Sequence, residues 1–455
     1  MVLSLDGGGV RGLSSLYILR EIMKRVKELD DNAQPNDRIE PNVGVPFPCD
    51  YFDFIVGTST GGLIAVMLGR LRMSIDDCIK QYWLLSNKIF RPPRTRVPFQ
   101  VYSRRTLQEA TQNVVQNFCR CHGAVGESCM GEEYLRQYDY GEATDGLDLD
   151  RTNKTCRVAV VTVREGGRTT SRGQQANVKV LFRSYNHRRR EYRPDFIELE
   201  PNPKDLESST LMIDEACSAT TAAPTYFRTV EIRGRKYMDG GLLANNPAVE
   251  AWNEAKQMAV APGQPMTVLA NLLVSVGTGR KKEFSGSNYL SLARVGLRKI
   301  TDTDGPHQRM LDLVGQDGWR YHRFSVPWRI HSSTHKGLAK IKLDQCKKKK
   351  KQQSGNKQQD LQQQNGFEQN AQQQNGLQQN AQQQNAIVNQ AEVEDRPLRA
   401  AACNAEPRRR DGYKPDKYDY ITFDKLRDRS MSYCNSAQDR PKINECASLL
   451  REFHF

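Results

Sequence analysis

The sequence predicts an α/β protein, a three-layer α/β/α sandwich with a mostly parallel central sheet. Apolar strand-like runs alternate with helix-like segments through residues 2–280, the order that is typical of sheets covered by helices. Glycine-rich turns follow two of the strand-like runs and precede helices, as tight connections in such folds do. With 38% hydrophobic residues in a chain of 455, the side chains can bury a large core.

The strands are justified by short runs of apolar and β-branched residues between turn signals. They are predicted at residues 2–5, 54–56, 157–163, 179–185 and 272–277. The helices are justified by apolar residues that recur every three or four positions. They are predicted at residues 16–29, 62–69, 75–86, 105–118, 213–219 and 248–259. Ser74 and Asp77 predict a capping box for the third helix, and Pro92 and Pro93 stop the chain after it.

The turn after the second predicted strand reads Gly57-Thr58-Ser59-Thr60-Gly61. A G-x-S-x-G turn between a strand and a helix needs its glycines because the reversal is too tight for side chains. The turn holds the serine in a strained conformation with its Oγ exposed, and the helix behind it points its positive end at the reacting centre. This pattern predicts Ser59 as a nucleophile, although a structural glycine turn also explains it when it is taken alone.

The turn after the first predicted strand contains Gly7, Gly8 and Gly9, followed by Arg11 and Gly12. Three consecutive glycines allow several backbone N–H groups to point at one position, which is the geometry of an oxyanion hole. Arg11 adds a positive charge nearby. We therefore predict an oxyanion loop here.

A dinucleotide-binding turn is the alternative for this segment. Gly7, Gly9 and Gly12 satisfy G-x-G-x-x-G, and Asp30 and Asp31 follow at about the distance of a ribose-binding acid. The nucleotide interpretation accounts neither for the serine turn nor for the motif described next.

A third motif, Asp239-Gly240-Gly241, ends a strand-like run. A buried and positioned aspartate followed by two permissive residues can serve as a base. The hypothesis is that Asp239 accepts the proton of the nucleophile.

In this order, the three motifs closely resemble those of the patatin-like phospholipase family. Residues 216–227 resemble the segment that leads to the family's last motif, and the likeness covers residues 2–280, with weaker likeness at 321–326 and 443–453. The resemblance implies a Ser-Asp dyad in which Ser59 is the nucleophile and Asp239 the proton acceptor. It also implies that the glycine loop and Arg11 stabilise the oxyanion.

A Ser-His-Asp triad is the chemical alternative, because a carboxylate is a weak base toward a serine hydroxyl. His307 and His322 follow Asp239 but stand in charged or aromatic surroundings. None of the seven histidines has a catalytic-looking context: His122, His187, His307, His322, His331, His335 and His454. The dyad is therefore preferred.

No cofactor and no metal are expected, and the resemblance implies independence from calcium. A crowded set, Cys119, Cys121, His122 and Cys129, raises the possibility of zinc. Its spacing matches no common zinc site, so free thiols are the preferred interpretation.

The chain contains no run of about 18 apolar residues and no signal-peptide pattern. Its eleven cysteines form an odd and scattered set that suits reduced thiols. These features predict an intracellular protein, cytoplasmic or peripheral at membranes. Because Met1 leads directly into the first strand, a shortened N-terminus is also conceivable.

The formal net charge is +14, to which the lysine run 347–351 contributes. A second basic cluster consists of Arg183, Arg188, Arg189, Arg190 and Arg193. A solvated basic loop is the simpler interpretation, and peripheral contact with an anionic membrane surface is the sharper one. No nucleic-acid partner is expected, since RNA-recognition, helix-turn-helix and zinc-finger patterns are absent from the sequence.

The domain prediction divides the chain into four parts. Residues 2–250 form a catalytic domain with all motifs, and residues 251–345 continue the same core. Residues 346–396 are a disordered insertion, where glutamine and asparagine follow the lysine run and apolar residues are too sparse for a core. A glutamine-rich coiled coil is its alternative. Residues 397–455 regain helical spacing at 421–433 and 443–453, and we expect them to pack on the core.

The predicted function is a lipid acyl hydrolase of the phospholipase A or lysophospholipase type, with a phospholipid or other acyl lipid as substrate. A transacylase or a triacylglycerol lipase would use the same site. A catalytically silent lipid-binding scaffold, or a protein whose main role is interaction through its insertion, are the non-enzyme alternatives. The intact Ser59, Asp239 and loop glycines favour the enzyme.

Overall fold

Within the described part of the chain, nine strands form the central sheet of the structure, a computed structural model. Its strands are β1 (Val2–Leu5), β2 (Phe54–Thr58), β3 (Arg157–Thr169), β4 (Gln175–Arg183), β5 (Ile197–Glu198), β6 (Val230–Ile232), β7 (Arg235–Asp239), β8 (Leu272–Val276) and β9 (Arg320–Phe324). They follow the order β5-β4-β3-β2-β1-β8-β9, with β7 paired to both β3 and β6. β1 is parallel to β2 and β8, β2 to β3, and β8 to β9, so their carboxyl ends meet at one edge. The predicted mostly parallel sheet is confirmed.

The structure describes residues 1–33, 44–89, 102–118, 133–135, 156–169, 175–185, 197–198, 211–224, 226–259, 272–279, 303–317, 320–327 and 421–454. All of them belong to one unit made of Met1–Lys348 and Pro407–Phe455. The predicted insertion at 346–396, the lysine run, and the set of Cys119, Cys121, His122 and Cys129 lie outside the described residues. The division into four domain parts therefore stays a prediction.

Helices cover both faces of the sheet. They are α1 (Gly12–Asp31), α2 (Pro48–Tyr51), α3 (Thr60–Ala65), α4 (Ile75–Ile89), α5 (Arg104–Phe118), α6 (Ile213–Thr220), α7 (Gly241–Ala244), α8 (Ala248–Ala259), α9 (Asp304–Asp317), α10 (Ile421–Cys434) and α11 (Arg440–Glu452). One apolar cluster joins the sheet to α1, α4, α5, α10 and α11, and a second joins it to α8 and α9. β1 serves both clusters, because Leu3 and Leu5 point to the first and Val2 to the second. The three-layer sandwich is confirmed.

Several helices differ from their predicted bounds. α1 begins at Gly12, four residues before the predicted start. The serines that hide this turn from the apolar pattern are buried with partners: the Oγ atoms of Ser14 and Ser430 lie 2.7 Å apart, and Ser15 Oγ donates to the Gly277 carbonyl at 3.1 Å. The predicted helix at 62–69 is α3, which continues as a π-helical turn at Val66–Arg70. Ser74 caps α4 as predicted, since the Asp77 N–H donates to Ser74 Oγ at 3.1 Å. The Asp77 carboxylate accepts from the Ser74 hydroxyl at 2.7 Å and not from the Ser74 N–H, so the box is only half formed.

The sequence pattern missed α2, α7, α9, β5, β6 and β9, and it misplaced β4. β4 spans Gln175–Arg183 instead of 179–185, because β3 and β4 form a long antiparallel ribbon. The outer part of that ribbon carries exposed polar residues such as Glu165 and Asn177, which resemble a loop in the sequence. β9 escaped notice for a related reason: its residues Arg320, His322 and Arg323 are polar.

Arg183 does not belong to a solvated basic loop. Its side chain is 4% exposed, and its guanidinium donates to both carboxylate oxygens of Glu254 on α8, at 2.6 and 2.9 Å. Arg188, Arg189, Arg190 and Arg193 lie outside the described residues. Arg183 is therefore a buried core residue and not a member of the basic cluster that the sequence predicted.

The C-terminal helices pack against α1. α11 buries Ile443, Cys446, Ala447, Leu449 and Leu450 in the larger apolar cluster. Its last turn is also tied to α1, since Arg451 Nε lies 3.4 Å from Asp30 Oδ1. No helix within the described part of the chain has the length and apolar character to cross a membrane.

We predict that Leu450→Ala lowers the free energy of unfolding by about 2–5 kcal/mol, because it removes a fully buried side chain and leaves a cavity. The measurement is urea unfolding followed by circular dichroism. Ser448→Ala on the exposed face of the same helix is the control and should change stability by less than about 0.5 kcal/mol. Equal effects of both variants would show that α11 does not contribute to the folded core.

Candidate active site

Ser59 occupies a sharp turn between β2 and α3. β2 ends at Thr58 and α3 begins at Thr60, so one residue makes the reversal. Ser59 has φ 55° and ψ −128°, a left-handed conformation that side chains rarely adopt. A Cβ atom at Gly57 would overlap the backbone of Gly61, which explains why this turn needs glycine.

Asp239 is the last residue of β7 and faces this serine. Ser59 Oγ donates a hydrogen bond to Asp239 Oδ2 at 2.6 Å, and the Gly241 N–H donates to Asp239 Oδ1 at 2.7 Å. The aspartate is 1% exposed. Burial raises its pKa from 3.8 to about 6, although the hydrogen bonds from Ser59 and Gly241 act in the opposite direction.

Sheet pairing explains how two residues so distant in sequence meet. β3 pairs in parallel with β2 as far as Thr58, which lies opposite Val161. The next residue of β3, Thr162, lies opposite Asp239 of antiparallel β7. β2 and β7 therefore approach each other along the same side of β3, and Ser59 and Asp239 stand where they meet.

Buried threonine hydroxyls hold these segments together. Thr58 Oγ1 donates to the Ala244 carbonyl at 2.7 Å, and Thr162 Oγ1 donates to the Met238 carbonyl at 2.8 Å. Thr58 and Thr162 are both fully buried. These contacts tie the residues on either side of the Asp-Gly-Gly segment to β2 and β3.

Thr220 does the same for Ser59. Its Oγ1 accepts a hydrogen bond from the Ser59 N–H at 2.9 Å and donates to the Val161 carbonyl at 2.5 Å. The sequence analysis placed Thr220 within the segment 216–227 but assigned it no role. Because the strained Ser59 N–H has this partner, the Ser59 amide is not a donor for an oxyanion in this conformation.

The glycine loop lies beside Ser59, and its N–H groups differ in how firmly they are hydrogen-bonded. The Gly7 N–H donates to the Asn245 carbonyl at 3.0 Å, so this group holds the loop in place. The Gly8 N–H donates to Thr60 Oγ1 at 3.2 Å, a long bond between two residues that line the cleft. Gly9 has φ 52° and begins a short 3-10 turn.

The carbonyl groups of the same loop are also held. Thr278 Oγ1 donates to the Gly7 carbonyl at 2.9 Å, and Tyr82 on α4 donates to the Gly9 carbonyl at 2.6 Å. Gly12 allows the close approach of α4, since a Cβ there would overlap the Tyr82 hydroxyl. Tyr82 and Thr278 were missed by the sequence analysis because nothing local marks their contact with the loop.

Arg11 lines the same cleft as Ser59 and Asp239. It is 3% exposed, and its Nε has no hydrogen-bond partner in the described part of the chain. Burial lowers its pKa from 12.5 to about 10, so the guanidinium remains charged at neutral pH. A buried positive charge beside the serine favours an anion in the cleft.

Part of the lining of the cleft is apolar. It is formed by Leu63, Leu85, Ile89, Leu107 and Phe227. Such a site combines a positioned serine, a buried carboxylate and an apolar surface, which together suit an ester of an apolar acid.

The family model of patatin-like phospholipases matches residues 3–252. The chain belongs to this family. The match covers the Gly7–Gly9 loop, the Ser59 turn and Asp239. The resemblance of the sequence motifs is thereby confirmed, while the roles of the individual residues stay predictions.

Relatives of this chain extend the comparison. It is 27% identical over 332 residues to "Calcium-independent phospholipase A2-gamma" of Mus musculus, a match to 71% of this chain and 34% of that protein. It is 25% identical over 362 residues to "Patatin-like protein 1" of Arabidopsis thaliana, covering 74% of this chain and 73% of that one. The chain thus spans about a third of the length of the phospholipase A2-gamma relatives that it matches.

Among solved structures, VipD from Legionella pneumophila is similar with a TM-score of 0.30 and 14% sequence identity. The match covers 69% of this chain and 55% of that one.

No histidine occurs among the described residues that line the cleft of this family member. His307 Nδ1 lies 3.1 Å from the Tyr321 hydroxyl, on the side of α9 and β9. His322 lines a separate cavity of about 560 Å³. The remaining histidine of the described part, His454, stacks on Tyr51. The triad alternative has no support from these positions.

The dinucleotide alternative has no support from the structure either. Asp30 and Asp31 lie at the far end of α1, about 30 Å along the helix from the glycine loop. They are engaged there, Asp30 with Arg451 and Asp31 with Lys27. Among the residues that the structure describes, no group of three or more His, Cys, Asp or Glu could hold a metal ion.

We predict that Gly61→Ala destabilises the protein by about 1–3 kcal/mol or more, because its methyl group would overlap the carbonyl oxygens of Leu5 and Asp6. Those atoms belong to backbone and cannot move aside cheaply. Thermal unfolding measures the effect. Gly44→Ala is the control, since nothing lies within 4 Å of its added Cβ and its melting temperature should stay unchanged. A Gly61→Ala variant as stable as the control would refute the close packing of the serine turn on β1.

Proposed function

We propose that this chain is a serine hydrolase that cleaves carboxylic ester bonds of phospholipids or related acyl lipids. The observation that carries the proposal is the hydrogen bond of 2.6 Å between Ser59 Oγ and the buried Asp239 carboxylate. Family membership supports the reaction class. The names of the relatives describe phospholipases, and the apolar wall of the cleft suits an acyl chain.

In the proposed mechanism, Ser59 Oγ attacks the ester carbonyl while Asp239 accepts its proton. The alcohol leaves with the proton that Asp239 returns, and an acyl-Ser59 ester remains. Water then attacks this ester, Asp239 accepts a proton from the water, and the fatty acid is released as Ser59 recovers its proton. The raised pKa of Asp239 supports this assignment, since a carboxylate with a pKa of about 6 is a better base than an ordinary one.

We assign the oxyanion to Gly8, Gly9 and Arg11. All three line the cleft beside Ser59. Arg11 offers a buried charge, and the long hydrogen bond of the Gly8 N–H to Thr60 is one that a negatively charged oxygen can replace. Gly7 was predicted to belong to the oxyanion loop. We assign it a structural role instead, because its N–H donates to the Asn245 carbonyl and holds the loop in place.

Transfer of the acyl group to an alcohol instead of water, and cleavage of triacylglycerol, would use the same groups and remain alternatives within this proposal. Independence from calcium and peripheral contact with an anionic membrane also remain proposals. Membrane contact rests on the lysine run at 347–351 and on Arg188, Arg189, Arg190 and Arg193, since Arg183 is paired with Glu254.

We predict that Ser59→Ala abolishes hydrolysis of a short-chain ester and covalent labelling by a fluorophosphonate, since the nucleophile is lost. Asp239→Asn should lower kcat by at least about a hundredfold, because the amide cannot accept the proton. Both variants should keep the fold, measured by circular dichroism. His307→Ala and His322→Ala are the controls and should keep most activity. A folded but inactive histidine variant would replace the dyad by a triad.

A second prediction concerns pH. Asp239 must be ionised to accept a proton, so kcat/KM should fall about tenfold per pH unit below its pKa of about 6 and level off above it. The measurement is a pH–rate profile from about pH 4 to about pH 9. An acidic limb near the ordinary value of 3.8 would contradict the buried environment described for Asp239.

A further inference from the structure

Arg323 on β9 is buried at the edge of the sheet, where a charged residue needs a strong partner. Its side chain is 4% exposed. Nη1 donates to Asp6 Oδ1 at 2.7 Å, Nη2 donates to Asp6 Oδ2, and Nη1 also donates to Ser275 Oγ at 2.8 Å. Burial by itself would lower the pKa of Arg323, but the Asp6 carboxylate holds it above its ordinary value. The pair is thus bidentate and charged.

Asp6 connects this pair to the candidate active site. It is the residue between β1 and the glycine loop, and its carboxylate is fully buried. Its N–H donates to the Val276 carbonyl at 3.1 Å. On the other side, its carbonyl would lie 2.6 Å from a Cβ at Gly61, so its backbone packs directly against the helix behind Ser59.

The fit around Arg323 is close. A Cβ atom at Gly277 would come within 2.7 Å of Arg323 Nη2, so glycine at this position leaves room for the guanidinium. The next residue along the chain, Thr278, donates to the Gly7 carbonyl. β8 and β9 therefore hold the loop at two successive points, through the side chain of Asp6 and the carbonyl of Gly7.

We propose that Arg323 is a positioning residue, which orients the oxyanion loop at Gly8 and Gly9 through its bidentate contact with Asp6. This inference rests on the proposed hydrolase function. Arg323 is not among the described residues that line the cleft with Ser59 and Asp239. Through Asp6, Arg323 fixes the direction in which the chain passes from β1 into the loop. A small misplacement of the loop's N–H donors strongly reduces the rate of the reaction.

The protein supplies its own control for this proposal. Arg183 lies in the same row of the sheet, since pairing runs from Arg183 through Ala159, Val56, Ser4 and Ser275 to Arg323. Its side chain is equally buried, and it too makes two hydrogen bonds to a carboxylate, that of Glu254. Unlike Asp6, Glu254 has no place next to the glycine loop. The two pairs match in chemistry and burial but differ in what they hold.

The test uses two double variants, Asp6→Asn/Arg323→Met and Glu254→Gln/Arg183→Met. Each removes both charges of one pair, because removing one partner would leave a buried charge without its counterion. The readouts are the melting temperature, kcat and KM for a soluble short-chain ester, and the rate of fluorophosphonate labelling of Ser59. Activities are measured well below the melting temperature of each variant.

We expect Asp6→Asn/Arg323→Met to lower kcat and the labelling rate by about tenfold to a hundredfold with little change in KM. We expect Glu254→Gln/Arg183→Met to stay within about twofold of the unaltered protein in kcat, whatever its melting temperature. Arg323→Lys, which keeps the charge but loses the bidentate geometry, should fall between the two. If the first double variant does not fold, Arg323→Lys decides.

Unaltered kcat and labelling in folded Asp6→Asn/Arg323→Met, or in Arg323→Lys when the double variant is unfolded, would overturn the inference. Equal losses of kcat in both double variants would overturn it as well, because the effect would then be general to buried ion pairs. Failure of the proposed function itself has a separate signature, in which the unaltered chain neither hydrolyses esters nor is labelled at Ser59.

Discussion

The length of β3 is the constraint on which the site depends. One strand of 13 residues offers the same side first to β2 and then to β7, which runs the opposite way. Because both partners share one backbone, the end of β2 and the end of β7 have a fixed separation. Ser59 and Asp239, 180 residues apart in sequence, are placed at hydrogen-bond distance by main-chain pairing before any side chain contributes.

Burial then sets the chemistry of that pair. A carboxylate removed from water loses solvation, and the hydrogen bonds from Ser59 and Gly241 return only part of it, so the pKa of Asp239 rises to about 6. Burial of the carboxylate costs stability, and in the mechanism that we propose it also makes Asp239 a better base. Around Asp239, the hydroxyl groups of Thr58, Thr162 and Thr220 donate hydrogen bonds to backbone carbonyls. These bonds leave the strained serine little freedom to relax.

Two buried ion pairs lie at the two ends of one row of residues that are paired laterally across the sheet. The side chains between them in this row are small or apolar. The pair of Arg183 and Glu254 ties β4 to α8, and the pair of Arg323 and Asp6 ties β9 to the start of the glycine loop. Charges are costly to bury, so each arginine is tolerated because its guanidinium meets a carboxylate in a bidentate arrangement. The sequence indicated that Arg183 belongs to a solvated basic cluster. Charge alone does not show whether the folded chain places a carboxylate, here that of Glu254, beside an arginine.

The sequence by itself determined the features that are local. The turn at Ser59 needs glycine at position 57 because a Cβ there would overlap the backbone of Gly61, four residues further along the chain, and the apolar spacing of α1 marks a buried helix wherever it lies in the fold. Only the tertiary structure decided the partners. Tyr82 on the Gly9 carbonyl, the long polar ribbon of β3 and β4, and Arg323 on a carboxylate 317 residues away carry no local signature. Turn sterics and periodicity are written in neighbouring residues, whereas strand register brings together side chains whose complementarity appears only when the sheet has formed.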